Sequence, residues 1–147
     1  MGAARIIQVD DPRHPRVVSD IRLAVHQPAA RQGAQASDPG ANIPVQGYAA
    51  HYCSVPTRRH PNLAGCSMIL SGLRVFDIRD VEHPKEVAYF NQPATPTDPN
   101  PTNPLAEGAW AMSQPAWDPA HHSIWYTDGN AGFFDVRLTH GVGKLLD

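Results

Sequence analysis

Two cysteines and eight histidines are the residues of this 147-residue chain best equipped for chemistry. Cys53 and Cys66 flank a polar stretch bounded by prolines. If two strands form a hairpin with its loop over residues 57–61, a register centred between Arg59 and His60 sets Cys53 opposite Cys66. Directly opposed residues carry Cβ atoms about 4.5–5.5 Å apart, close to what a disulfide spans. The pair is either a structural disulfide, which implies an oxidising compartment, or two buried thiols packing as small apolar residues. His51 shares a strand face with Cys53, and Met68 falls opposite His51 in the same register. Zinc or copper needs three or four ligands gathered at one point, so His51 with Cys53 is a half-site; the competing role for His51 is structural or pocket-lining. No cofactor is expected, with copper or zinc at His51 as the alternative.

Other polar candidates recur along the chain, and recurrence points to structure, because a catalytic group rarely appears once per repeat. His14 and His83 each precede a proline and are expected to be exposed or bonded to nearby backbone. Asp77 and Asp135 occupy matching places, with Gln8 at the corresponding position further upstream. Their expected role is to satisfy backbone or arginine groups between strands, with Arg74 and Arg79 as partners. Asp80 fits a turn acceptor. Trp110, Trp117 and Trp125 cluster with Tyr126, Phe133 and Phe134; such a group either fills a core or offers a face for sugars or peptides. His121 and His122 follow Trp117-Asp118-Pro119 and read as a solvated turn.

The elements that must position these residues come from an internal repeat. Residues 4–18 align with residues 73–87 at a constant offset, repeating Arg5/Arg74, Asp11/Asp80, His14/His83, Pro15/Pro84 and Val18/Val87. Gly132-Phe133-Phe134-Asp135-Val136-Arg137 aligns in turn with Arg74-Val75-Phe76-Asp77-Ile78-Arg79. Fifteen prolines break the chain into short pieces, and the nearest helical candidate, over 23–35, is interrupted by Pro28 and Gly33. The middle copy predicts four antiparallel strands over 47–55, 63–70, 73–79 and 85–91, with a two-residue hairpin at Ser71-Gly72 and another turn at Asp128-Gly129-Asn130. Four strands in about 45 residues is the size of one propeller blade. The expected class is all-β, with about two and a half blades and an incomplete ring. Residues 1–26 close one blade, 46–93 make a complete blade, and 106–147 make most of a third. Proline-rich connections over 27–45 and 93–105 join them.

Ser71-Gly72-Leu73-Arg74-Val75-Phe76-Asp77-Ile78-Arg79-Asp80, followed by His83-Pro84-Lys85-Glu86-Val87-Ala88-Tyr89-Phe90, resembles the LVIVD-repeat proteins, a bacterial β-propeller family. His51-Tyr52-Cys53 and Trp125-Tyr126-Thr127-Asp128-Gly129 are similar to the C-terminal blades of that family. The resemblance implies a fold more than an activity. Family members are several times longer, so it also implies a C-terminal fragment of a larger protein, with open blade faces, marginal stability and a tendency to self-associate.

A net charge of −2 with scattered basic residues argues against nucleic acid as the main partner. No run approaches the roughly 18 apolar residues of a membrane helix. The first ten residues lack the charged start and apolar run of a signal peptide, so an extracytoplasmic location requires an upstream leader, and a cytoplasmic one applies otherwise. No P-loop, Gly-x-Ser-x-Gly or Cys-x-x-Cys motif is present. The leading expectation is a non-catalytic binding scaffold for an undefined ligand or protein, its surface shaped by loops over 31–42 and 95–103. A metal- or thiol-dependent propeller oxidoreductase using His51 is second. A truncated product without independent activity is third.

Overall fold

A computed structural model describes residues 2–33, 36–37, 47–92 and 109–146 of the chain. The connection over 93–105, most of that over 27–45 and the greater part of both expected surface loops lie outside the described residues.

Three antiparallel sheets follow one another in chain order. Sheet I pairs β1 (Ala4–Gln8) with β2 (Arg16–Ile21). Sheet II has four strands in sequential order, β3 (Tyr52–Ser54), β4 (Leu63–Ser67), β5 (Leu73–Asp77) and β6 (Lys85–Phe90). Sheet III has three, β7 (Ala116–Asp118), β8 (Ser123–Asp128) and β9 (Gly132–Arg137). Among the described residues the sheets close no ring. In place of a fourth strand in sheet III, the chain winds into a 3-10 turn over Val142–Leu146. That turn packs against the core between sheets II and III, and Asn62 donates to the Leu145 carbonyl.

The alternation of side chains along each strand divides the interior into two layers. Ile6 and Ile21 of sheet I meet Ala64, Cys66 and Phe76 of sheet II in one. Leu63, Leu73 and Val75, from the other face of sheet II, meet Ile124, Tyr126 and Phe134 of sheet III in the second. Sheet II is thus covered on both faces, and every residue of β4 is buried. The second layer depends on a missing side chain: the Trp117 ring lies against Gly65 so closely that a Cβ there would stand 2.9 Å from Cζ2.

The repeat aligned in sequence occupies matching strands. Ile6, Val75 and Phe133 are equivalent; Ile6 faces sheet II and Val75 faces sheet III. Ile7, Phe76 and Phe134 are equivalent; Phe76 faces sheet I and Phe134 faces sheet II. Ile7 and Phe133 are left 48% and 66% exposed on the two outer faces.

Several expectations need correction. The fold is mostly β rather than all-β, because Pro28–Gln32 forms a short helix, α1, preceded by a 3-10 turn over Ala24–His26. Pro28 opens this helix instead of interrupting it, since proline's fixed φ and missing N–H suit the first helical turn. The first strand of sheet II spans Tyr52–Ser54 only. The reversal between β4 and β5 is wider than two residues: Met68 N–H donates to the Gly72 carbonyl across residues 69–71. Ile69 is drawn aside by a reciprocal backbone pair with Ala111, which in turn bridges to Asp128 of sheet III. It takes φ 46°, unusual for a β-branched residue. Gly72 takes φ 73° where any Cβ would collide with the Phe90 carbonyl.

Candidate functional site

Cys53 and Cys66 stand opposite each other in the β3–β4 register, with Cα atoms 4.1 Å apart and sulfurs at the disulfide distance of 2.06 Å. The bond ties the short edge strand β3 to a fully buried neighbour. Next to it, Ser54 on β3 donates to the Pro115 carbonyl and accepts from the Trp117 indole N–H at 2.9 Å. One end of sheet II is therefore fixed to the start of sheet III by polar contacts as well as by packing.

His51, just before β3, is exposed; its Nδ1 bonds the Met112 carbonyl at 2.9 Å, and its ring meets Tyr52 edge-on. Among the described residues, no group of three or more His, Cys, Asp or Glu side chains is placed to hold a metal ion.

The repeated histidines sit in matching turns. The Asp11 carboxylate accepts from Arg13 N–H and bonds the His14 ring at 2.8 Å. The Asp80 carboxylate accepts from Glu82 N–H and bonds the His83 ring at 3.1 Å. A third Asp–His pair, Asp118 with His121 at 2.7 Å, stabilises the turn between β7 and β8. The paired imidazole, as hydrogen-bond donor, holds each of the three carboxyls below the ordinary aspartate value.

The arginines divide. Arg79 forks onto Asp77, 2.6 Å at the closest, and holds that carboxyl below its usual range. Arg74 pairs with Glu86 at 2.7 Å rather than with Asp77 or Asp135, because it points to the opposite face of β5. It also donates to the Ser71 carbonyl and lies over the Tyr89 ring. Asp135 sits on the outer face of sheet III, opposite Trp125.

A cleft of about 310 Å³ opens beside Arg74, between the 3-10 turn after sheet I and the edge of sheet II. Leu23, Val25 and Tyr48 line one side, and Ser71, Arg74 and Glu86 the other. The Ser71 hydroxyl is buried there without a hydrogen-bond partner. This mix of a fixed ion pair, a spare hydroxyl and apolar walls can hold a small polar ligand.

The aromatic group separates into two populations. Trp110, Trp117, Tyr126 and Phe134 pack into the interior, with Tyr126 stacked on Phe134 at 5.4 Å. Trp125 and Phe133 meet edge-on at 6.3 Å on the outer face of sheet III.

Asp128 was visible in the sequence only as a turn residue. It is 2% exposed, and its carboxylate accepts from the N–H groups of Trp110, Asn130 and Ala131 at 2.6, 2.8 and 3.1 Å and from the Gln92 amide at 3.3 Å. It gathers the end of β6, the segment entering sheet III and the β8–β9 turn. Burial, with the Asp128 charge adding, pushes the neighbouring Tyr126 phenol well above its ordinary value. An aspartate opening a turn and a buried aspartate look alike in sequence; the reach to Trp110 and Gln92 is a tertiary fact.

No helix among the described residues is long and apolar enough to cross a membrane. Compared with known proteins, the chain matches no family model and no curated protein.

Proposed function

We propose that the chain is a non-catalytic interaction scaffold of the β-propeller type, akin to the LVIVD-repeat proteins, in which the three sheets are successive blades. The observation that carries this reading is the common orientation of the repeat: Ile6 and Val75 each face the next sheet, while Phe76 and Phe134 each face the preceding one. A second observation supports a binding role over catalysis. The residues that sequence marks as chemically capable are engaged in holding the chain: His14, His83 and His121 on turn aspartates, His51 on a carbonyl and Arg79 on Asp77. The scaffold offers the cleft beside Arg74 to small polar ligands and its outer sheet faces to self-association. The disulfide supports residence in an oxidising compartment.

Elemental analysis of purified protein, before and after incubation with copper and zinc, tests the reading. The expected result is no stoichiometric metal. One equivalent of copper or zinc that is lost in His51→Ala, together with thiol oxidation by the loaded protein, would replace the scaffold by a metal-dependent oxidoreductase.

A further inference from the structure

The outer faces of sheets I and III are opposite faces of the repeat unit, and the interior shows what each is shaped to meet. Two internal contacts have the same polarity. The face of sheet I carrying Ile6 packs on the face of sheet II carrying Phe76; the face of sheet II carrying Val75 packs on the face of sheet III carrying Phe134. Among the described residues one face of each kind is left uncovered. On sheet III it is the face of Phe133, with Trp125 beside it and Asp135 and Arg137 following along β9. On sheet I it is the face of Ile7, paired across the sheet with Val17 and flanked by the Arg5–Asp20 ion pair. Both faces are apolar with charges at the side, Asp118, Asp135 and Arg137 on sheet III and Arg5, Asp20 and Arg22 on sheet I, so the acidic excess of the first can meet the basic excess of the second.

We propose that the occupant of the sheet III face is the sheet I face of a second copy, giving a head-to-tail assembly in which the internal stacking rule continues from chain to chain. The inference rests on the scaffold reading above and specifies its self-association. The contact is heterologous, so copies add in one direction and form either a ring or a filament. Its size sets its strength. A two-stranded sheet of five to six residues offers roughly 10 by 17 Å, about 170 Å² per partner, well below a standard specific interface and in the range of a transient contact. Association is therefore concentration-dependent.

Sedimentation velocity from about 10 μM to 1 mM tests it, using the whole chain and the variants Phe133→Lys and Ile7→Lys, both at exposed positions and each checked for folding by circular dichroism. The expected result is progressive association of the parent chain and none of either variant alone. An equimolar mixture of the two variants is expected to form a dimer and stop there, because one retains the sheet I face and the other the sheet III face. A parent chain that stays monomeric to 1 mM overturns the proposal. So does a mixture that remains monomeric. Association of Ile7→Lys alone, abolished in Phe133→Lys, overturns it in favour of a symmetric contact through sheet III. Metal binding in the preceding experiment removes the scaffold reading while leaving this readout intact, so the two failures are told apart.

Discussion

Val75 and Phe133 occupy the same place in the repeat, yet one is 1% exposed and the other 66%. The local pattern around both is alike: a β strand, an apolar residue, then an aspartate two positions on. What differs is whether another sheet follows. In sheet II that residue is covered by Ile124, Tyr126 and Phe134; in sheet III the equivalent residue faces outward. The energetic value of a strand position in this molecule is set by the stacking order of sheets and not by the residue that fills it.

The largest effect that would break or confirm this comparison comes from truncating one covered and one outward-facing aromatic ring. Phe76 is 2% exposed between sheets I and II. Phe76→Ala is expected to cost about 3–5 kcal/mol, the usual range for emptying an aromatic site in a core, and a marginal domain can unfold under such a loss. Phe133→Ala, at dilute concentration, is expected to stay within about 0.5 kcal/mol of the parent. Urea denaturation of both variants decides it, and equal losses would mean that the outer face of sheet III is covered in solution even at low concentration.

The cross-link in sheet II comes next. Cys53 and Cys66 are 13 residues apart, and closing a loop of that order stabilises by about 3 kcal/mol in the chain-entropy account. The double replacement Cys53→Ala/Cys66→Ala, or reduction of the parent protein, is expected to lower stability by about that amount, read from the urea midpoint. No change on reduction would show that the sulfurs are not joined in the purified protein.

Asp128 sharpens the comparison at the junction between sheets II and III. Asp128→Ala leaves the N–H groups of Trp110, Asn130 and Ala131 without their acceptor. Stranding buried donors costs about 1–3 kcal/mol per group, and the exposed turn lets water recover part of it, so a net loss of about 2–3 kcal/mol is expected. Asp128→Asn keeps one acceptor oxygen and should recover roughly half. Hydrogen exchange adds a spatial check: the Trp110 amide is expected to lose protection in Asp128→Ala, whereas amides of sheet I are not.

How much of this was legible in the sequence follows from the range of the interactions. The strands, their spacing and the Cys53–Cys66 register could be read because alternation, turn residues and hairpin pairing are local. The repeat gave the equivalence of Ile6, Val75 and Phe133, since equal spacing places equivalent residues on equivalent faces. It could not say which faces are covered, because that depends on which sheet lies alongside. Ile69 reads as the end of a strand; only its backbone pair with Ala111 explains its left-handed conformation. Gly65 reads as an ordinary strand glycine until the Trp117 ring is seen against it. Arg74 was matched to the wrong carboxylate because alternation puts it with Glu86 on the face away from Asp77, a distinction its repeat position does not carry.

The smallest effect concerns charge at those matched positions. Asp77 is held below the ordinary aspartate value by its hydrogen bonds to Arg79, and its side chain is 17% exposed. Because the folded value is depressed, the stabilisation is fully present above the unfolded value of about 3.9 and is lost as pH falls through the lower folded value. Asp77→Asn is therefore expected to flatten the dependence of the urea midpoint on pH between about pH 5 and pH 2, with a modest loss of stability at neutral pH. Asp11 and Asp80, depressed in the same direction by His14 and His83 but set in solvent, contribute through the same window more weakly. An unchanged acid limb in Asp77→Asn would show that the Arg79 contact is not maintained in solution. The contrast between sheet positions would then rest on apolar packing alone.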